Sequence, residues 1–283
     1  MSGLGWLTEP LQFGFFRHGL AVATFAGALC GLIGVYVTLR GMSYIGHGLS
    51  HAIFGGAAAS ALVSFNFYVG AGVWGMAAAL AIGRVTRRRI IGADAAIGVI
   101  TTASFAFGIA LLGLYGQVRR SIDAAIFGSV LGVSVTDVWV VVGVTVAAAA
   151  VVFVLYRKLL FTTFDPEVAA VSGVNTARMD AVLMLLLSVS ILATMKVLGV
   201  VLIAATLVIP AVVARMLTNS FGRMLWLSAA IGAVCGFVGM VASYHLDISS
   251  GASIVLVGAA LFAVVFAVTG ARGRRNVAAA HVG

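Results

Sequence analysis

The amino-acid sequence predicts an all-α polytopic integral membrane protein, a bundle of about nine (eight to ten) transmembrane helices. Of the 283 residues, 62% are apolar and only 9% are charged, whereas an average soluble domain is about 25% charged. One apolar stretch follows another, with few polar residues between them. A chain crosses lipid only as helices or as a closed barrel. The apolar runs lack the alternation of a barrel, which favours helices.

In chain order, spans are predicted over 18–39, 48–67, 69–85, 94–115, 136–156, 178–197, 199–217, 224–244 and 251–270. Residues 1–283 are treated as a single transmembrane domain, with spans across roughly 18–270. Ser121–Ser134 is too short to cross and too apolar for a free loop, so we predict a re-entrant or interfacial segment there.

Positive charge is concentrated between the predicted spans. The net charge is +9. With the N-terminus outside and the C-terminus inside, thirteen of the 17 Lys and Arg residues are cytoplasmic and four are outside. Such an excess is typical of topology signals, so no nucleic-acid partner is predicted. Lys196 lies at a span end, where it can snorkel.

A short cytoplasmic helix is predicted between two spans, within the segment Phe161–Arg178. Asp165 is suited to the N-cap, Pro166 to the first helical position and Glu167 to the positive end of the helix dipole. Gly173 is suited to ending the helix. From these residues alone, the helix is either a connector or a docking element for a partner.

Two histidines at the start of the second span are the best candidates for a functional site. His47 and His51 are four residues apart, so both imidazoles share one helix face. Two imidazoles on one face form half of a site for zinc, manganese or a similar cation. The alternative is an interfacial pair that only forms hydrogen bonds with neighbouring helices.

Other candidates are weaker. His245 and Asp247, at the outer end of the eighth span, are either a station where a cation enters or leaves, or a solvated pair. Pro210 is predicted to kink the seventh span, as a structural feature or as part of a gate. The sequence contains no GxxxxGK[ST] segment and no arrangement of catalytic residues. We therefore predict that the chain itself is not an enzyme.

Four segments resemble the permease family of ABC importers for zinc, manganese and iron. They are LRGMSYIGHGLSHAIFGGA (Leu39–Ala57), FDPEVAAVSGV (Phe164–Val174), LGVVLIAATLVIPAVVAR (Leu198–Arg215) and YHLDISSGASIVL (Tyr244–Leu256). The Leu39–Ala57 segment is similar to a family motif G-D-x-L-x-H-A, and residues 164–174 resemble the coupling helix of the family. The resemblance extends from about residue 15 to residue 270.

The resemblance implies that His51 is a metal ligand and that His47 replaces the usual aspartate. A softer imidazole in place of a carboxylate favours zinc over manganese. Asp165, Pro166, Glu167 and Gly173 match the coupling-helix motif, which docks on an ATPase subunit.

The implied protein is the permease of a zinc importer in the bacterial cytoplasmic membrane. Its implied partners are a separate ATP-binding subunit, an extracytoplasmic metal-binding protein, a second permease copy and membrane lipid. The metal is cargo, and no tightly bound cofactor is expected.

Several alternatives remain open at this stage. A manganese or iron importer of the same family differs only in its cargo. A proton-coupled secondary transporter would use His47 and His51 as a proton relay and need no ATPase. In a membrane scaffold or receptor the two histidines would be structural, and in an importer of organic metal chelates the pair would be incidental.

Overall fold

The computed structural model describes residues 9–280, apart from 64, 88–90, 116–127 and 129–131. Within these residues, all regular elements are helices. A short 3₁₀ turn at Pro10–Gln12 precedes eleven α-helices. They are α1 (Gly14–Leu39), α2 (Ile45–Leu62), α3 (Phe67–Arg87), α4 (Ala93–Tyr115), α5 (Val135–Val154), α6 (Tyr156–Phe164), α7 (Pro166–Val171), α8 (Thr176–Leu198), α9 (Ile203–Leu217), α10 (Phe221–Leu246) and α11 (Ser250–Ala280). The all-α prediction is confirmed.

Each of the nine predicted spans falls on a helix, but in the described part of the chain only seven helices are long and apolar enough to cross a membrane. The two predicted spans that are not among these seven helices lie on α2, which has 18 residues, and on α9, which has 15. Most of α2 is buried against neighbouring helices. Ionisable side chains in a membrane bundle are found where they face the protein interior or a cavity, and α2 carries its two histidines in such an enclosed position. The re-entrant segment predicted for Ser121–Ser134 lies largely outside the described residues.

Helix α9 is short because the chain breaks between α8 and α9. Gly199, directly after α8, has a φ of 77°. This left-handed conformation favours glycine and commonly ends helices. The chain becomes helical again at Ile203. The four residues of the break leave backbone carbonyls available to neighbouring side chains.

Helices α1 and α10 approach each other closely. A Cβ atom added at Gly27 would overlap the carbonyl oxygen of Gly232, and one added at Gly31 would overlap that of Ser228. The Ser228 hydroxyl donates to the Gly31 carbonyl at 2.6 Å. Small residues allow this approach where lipid provides no hydrophobic drive between helices. Gly236, one turn after Gly232, lies equally close to the Ala23 carbonyl oxygen of α1.

Helix α2 contacts α3, α4, α8 and α9. Its side chains Ile45, Leu49 and Ile53 are fully buried. Gly55 lies so close to α4 that an added Cβ would overlap the Ser104 carbonyl oxygen. The surrounding helices therefore fix the rotation of α2, and with it the direction of its histidine face.

Candidate functional site

The two histidines of α2 lie side by side on one face of the helix. The ring centroids of His47 and His51 are 4.4 Å apart, and both side chains are half-buried. The Nδ1 atom of His51 lies 2.8 Å from the His47 carbonyl oxygen. Because a carbonyl oxygen only accepts, this Nδ1 carries the proton. The lone pair of His51 is then on Nε2, the nitrogen remaining for a cation.

Neighbouring side chains hold this part of α2 in place. The Ser50 hydroxyl is 2.7 Å from the His47 carbonyl oxygen and 2.8 Å from the Val200 carbonyl oxygen. The second contact ties the histidine turn to the break between α8 and α9. The ring of Phe105, on α4, meets the His51 ring edge-on with centroids 4.7 Å apart. These contacts limit the rotation of His51.

One copy of the chain supplies only part of a ligand set. Among the described residues, no group of three or more His, Cys, Asp and Glu side chains is positioned to hold a metal ion. A zinc ion in a structural site has four ligands and a manganese ion has more. Two neutral imidazoles can bind a divalent cation reversibly, provided that water or a further chain supplies the other ligands. The metal role of His47 and His51 stays a prediction.

The predicted cytoplasmic helix is present as α7. The Asp165 carboxylate accepts a hydrogen bond from the Val168 N–H at 2.9 Å, Pro166 is the first helical residue and Glu167 lies in the first turn. Gly173 follows the helix with a φ of 82°. The predicted cap, start and stop are therefore confirmed, whereas docking to a partner stays a prediction.

The remaining predicted site residues are not assembled with the histidine pair. His245 lies in the last turn of α10, and Asp247 caps that helix in the left-handed conformation with a φ of 51°. In the described part of the chain, neither joins His47 and His51 in a group of three ligands. Pro210 lies inside α9, as predicted. The cation station at His245 and Asp247 and the gate at Pro210 stay predictions.

A polar cluster beside α7 was not predicted from the sequence. Arg40 caps the C-terminus of α1, and its guanidinium donates to the Asp180 carboxylate at 2.7 Å. Arg87, at the end of α3, donates to the other Asp180 oxygen at 2.9 Å. The sequence shows that Arg40, Arg87 and Asp180 lie at the ends of predicted spans. It does not show that they meet, because 140 residues separate Arg40 from Asp180.

A second unpredicted cluster surrounds Asp137, which is 3% exposed. Its carboxylate accepts from Lys196 at 2.7 Å and from the Tyr68 hydroxyl. It also accepts from the backbone N–H of Ser134 at 2.9 Å, within a capping box that begins α5. Lys196 was expected to snorkel at a span end, but its ammonium group forms an ion pair that joins α8 to α5.

A comparison with protein families matches most of the chain. The family model described as the ABC 3 transport family matches residues 12–269. This chain belongs to the ABC 3 transport family. The resemblance to the permeases of ABC metal importers is thereby confirmed.

Individual members of the family match over nearly their whole lengths. The chain is 38% identical over 269 residues to "Manganese transport system membrane protein MntC" of Halalkalibacterium halodurans, covering 94% of this chain and 91% of that protein. It is 36% identical over 255 residues to "Manganese import system permease protein ScaB" of Streptococcus parasanguinis, covering 90% and 91%.

A solved structure has the same fold. In "PsaBC from Streptococcus pneumoniae in complex with Fab", one chain matches with a TM-score of 0.84 and 32% identity, covering 93% of this chain and 95% of that one. The two chains therefore share the same arrangement of helices over nearly their whole lengths.

Proposed function

We propose that this chain is the membrane permease of an ABC importer that carries manganese into the cytoplasm. The observation that carries the proposal is the match of 94% of the chain to a relative named as a manganese transport membrane protein. The names of the relatives favour the manganese alternative over the zinc prediction. The chain would act in the plasma membrane, with its N-terminus outside and its C-terminus inside, as its basic residues indicate.

In the proposed mechanism, His47 and His51 supply cation ligands in the translocation pathway. Their rings are adjacent, and the hydrogen bond of His51 Nδ1 leaves Nε2 available. A second copy of the chain would bring a second pair, so that four imidazoles could meet one cation. An extracytoplasmic binding protein would deliver the metal.

ATP hydrolysis would take place on a separate subunit that docks against α7. The exposed side chains of this helix support the proposal, because Val171 is 85% exposed and Val168 is 46% exposed. Apolar side chains on an exposed, well-capped helix are typical of a surface that is covered by a partner. Movement of the ATPase subunits would then expose the histidine pair to each side of the membrane in turn.

Zinc is the second candidate cargo, on one specific observation. The pair consists of two imidazoles, and imidazole suits zinc, whereas carboxylate and water oxygens suit manganese. The cargo can be decided by direct uptake measurements with both metals.

The test is uptake of radiolabelled manganese and zinc by cells that express the complete transport system. We compare the intact chain with the His47→Ala/His51→Ala double variant and with His18→Ala, a control histidine on α1. All variants are checked for equal abundance in the membrane.

We expect manganese uptake to fall at least about ten-fold in the double variant, because both protein ligands are lost. The His18→Ala control should carry manganese normally. If the intact chain takes up zinc and no manganese, the cargo is zinc, the second candidate. Unchanged uptake in the double variant would refute the metal role of the pair.

A further inference from the structure

The cluster around Arg40 lies between the two functional parts of the proposed permease. Arg40 ends α1 and directly precedes the short loop that leads to α2 and His47. Its partners Thr162 and Thr163 lie near the end of α6, shortly before Asp165, which caps α7. The cluster therefore connects the end of α6, which leads into the helix proposed to meet the ATPase, with the start of the loop that leads to the histidines.

Arg40 uses all three guanidinium nitrogens to join these parts. Nη1 donates to the Asp180 carboxylate at 2.7 Å, Nε to the Thr163 hydroxyl at 3.2 Å and Nη2 to the Thr162 hydroxyl at 3.1 Å. The Arg40 side chain is 11% exposed. A guanidinium with so little exposure and this many partners holds a fixed position, because a hydrogen bond broken there is not readily replaced by one to water.

Helix α6 is held from a second direction by an aromatic ring. The Phe221 ring, at the start of α10, has centroid distances of 5.6 Å to Tyr156 and 5.9 Å to Phe164. These two aromatic residues are the first and last residues of α6. With Arg40 bound to the threonines between them, α6 and the α7 that follows it are attached to the bundle at defined points.

A cavity of about 420 Å³ adjoins the cluster. Its lining includes Pro166, the first residue of α7, and Ile45, the first residue of α2. It also includes Arg40 and Asp180. Close-packed helices have little freedom to shift, so an open volume between α7 and α2 gives the ends of these helices room to move.

We infer that Arg40 is a positioning residue that transmits displacement of α6 and α7 to α2, and so to His47 and His51. This inference rests on the proposed function, since it assigns Arg40 to the coupling of ATP hydrolysis to metal movement. When α6 moves, Thr162 and Thr163 displace the guanidinium. The backbone of Arg40 then moves the loop that begins α2. Asp180 keeps the charge of Arg40 neutralised during this movement.

The test separates coupling from ATP hydrolysis and from folding. The intact complex of permease and ATPase subunits is placed in proteoliposomes with the manganese-loaded binding protein outside. Manganese uptake and ATP hydrolysis are measured together, and the readout is metal carried per ATP hydrolysed. A residue with only a structural role would lower both activities together and leave this ratio unchanged.

Two variants and one control define the result. Thr162→Val/Thr163→Val removes the hydroxyls that bind Arg40 on α6 and leaves the Arg40–Asp180 pair intact. Arg40→Gln removes the whole connection. Arg87→Gln is the control, because it removes the more exposed partner of Asp180, with a side chain 41% exposed, without changing the contact between Arg40 and α6. An exposed ion pair contributes little.

We expect the threonine double variant and Arg40→Gln to hydrolyse ATP while the metal carried per ATP falls at least about 5-fold. Arg87→Gln should keep the ratio of the intact chain. An unchanged ratio in the threonine variant would overturn the inference while leaving the proposed function in place. Lack of uptake of any metal by the intact complex would instead overturn the proposed function, and this inference with it.

Discussion

At the scale of single residues, the chemistry of the candidate site depends on the type of side chain at position 47. The resemblance to the permease family places an aspartate at this position, and this chain has an imidazole. An imidazole offers one neutral nitrogen, whereas a carboxylate offers two oxygens and a negative charge. We therefore expect a substitution at position 47 to alter the preference between zinc and manganese.

We expect His47→Asp to shift the preference of the transporter toward manganese. The new carboxylate is a harder ligand and adds negative charge to the site. The measurement is the concentration of zinc that halves manganese uptake, which should rise at least about ten-fold in the variant. Asn at this position is the matched control, because it offers a similar shape without the charge. Equal sensitivity to zinc in the intact chain and in both variants would show that position 47 does not select the metal.

At the scale of elements, α7 is a helix of only six residues, so its ends contribute much of its stability. A helix this short cannot persist on internal hydrogen bonds alone. The Asp165 carboxylate satisfies the Val168 N–H. At the other end, the Val174 N–H donates to the Ala169 carbonyl at 3.0 Å, across the left-handed Gly173. Asp165 and Gly173, the residues from which this helix was predicted, therefore stabilise its two ends.

We expect Asp165→Ala to weaken binding of the ATPase subunit by loosening the first turn of α7. Loss of such a cap costs about 0.5–2 kcal/mol. Asp165→Asn keeps an oxygen that can accept from Val168 and serves as the control. The measurement is the amount of ATPase subunit that co-purifies with equal amounts of permease. Equal recovery with the alanine variant would mean that the cap does not support docking.

At the scale of the whole molecule, the interface of α1 with α10 is a close approach of two long helices that are distant in sequence. The Gly27 and Gly232 backbones touch, and Gly236 packs against the Ala23 carbonyl in the same way. These contacts are between backbone atoms, so no side chain can change its rotamer to relieve them. The two helices are therefore expected to move as one rigid unit during transport.

We expect Gly27→Ala to destabilise the purified protein by about 1–3 kcal/mol, because a single added carbon forces α1 away from α10. Gly143→Ala is the control. An added Cβ at Gly143, on α5, meets no atom within 4 Å. The measurement is the apparent midpoint of thermal unfolding in detergent, which should fall for Gly27→Ala and stay level or rise for the control. A change of the same size in both variants would contradict the packing described for α1.

The helical architecture could be predicted from the sequence because lipid imposes one solution on an apolar backbone. The local features of α7 could also be predicted, since Asp165 and Gly173 act on their immediate neighbours. The ion pairs Arg40–Asp180 and Lys196–Asp137 could not, because they join residues that no helical periodicity relates. The sequence alone did not separate α2 and α9 from the seven helices that are long and apolar enough to cross a membrane, because it does not show which helices their neighbours enclose.

The pairing of α1 with α10 also has a consequence for biosynthesis. The first helix leaves the ribosome long before its partner, and synthesis of the intervening chain at about 5–20 residues per second takes on the order of ten seconds or more. During that interval, the glycine face of α1 has no matching helix. A chain cut short before α10 can never cover that face. The close packing of α1 therefore forms only after α10 has been synthesised, and a fragment that lacks α10 leaves the glycine face of α1 without its partner helix.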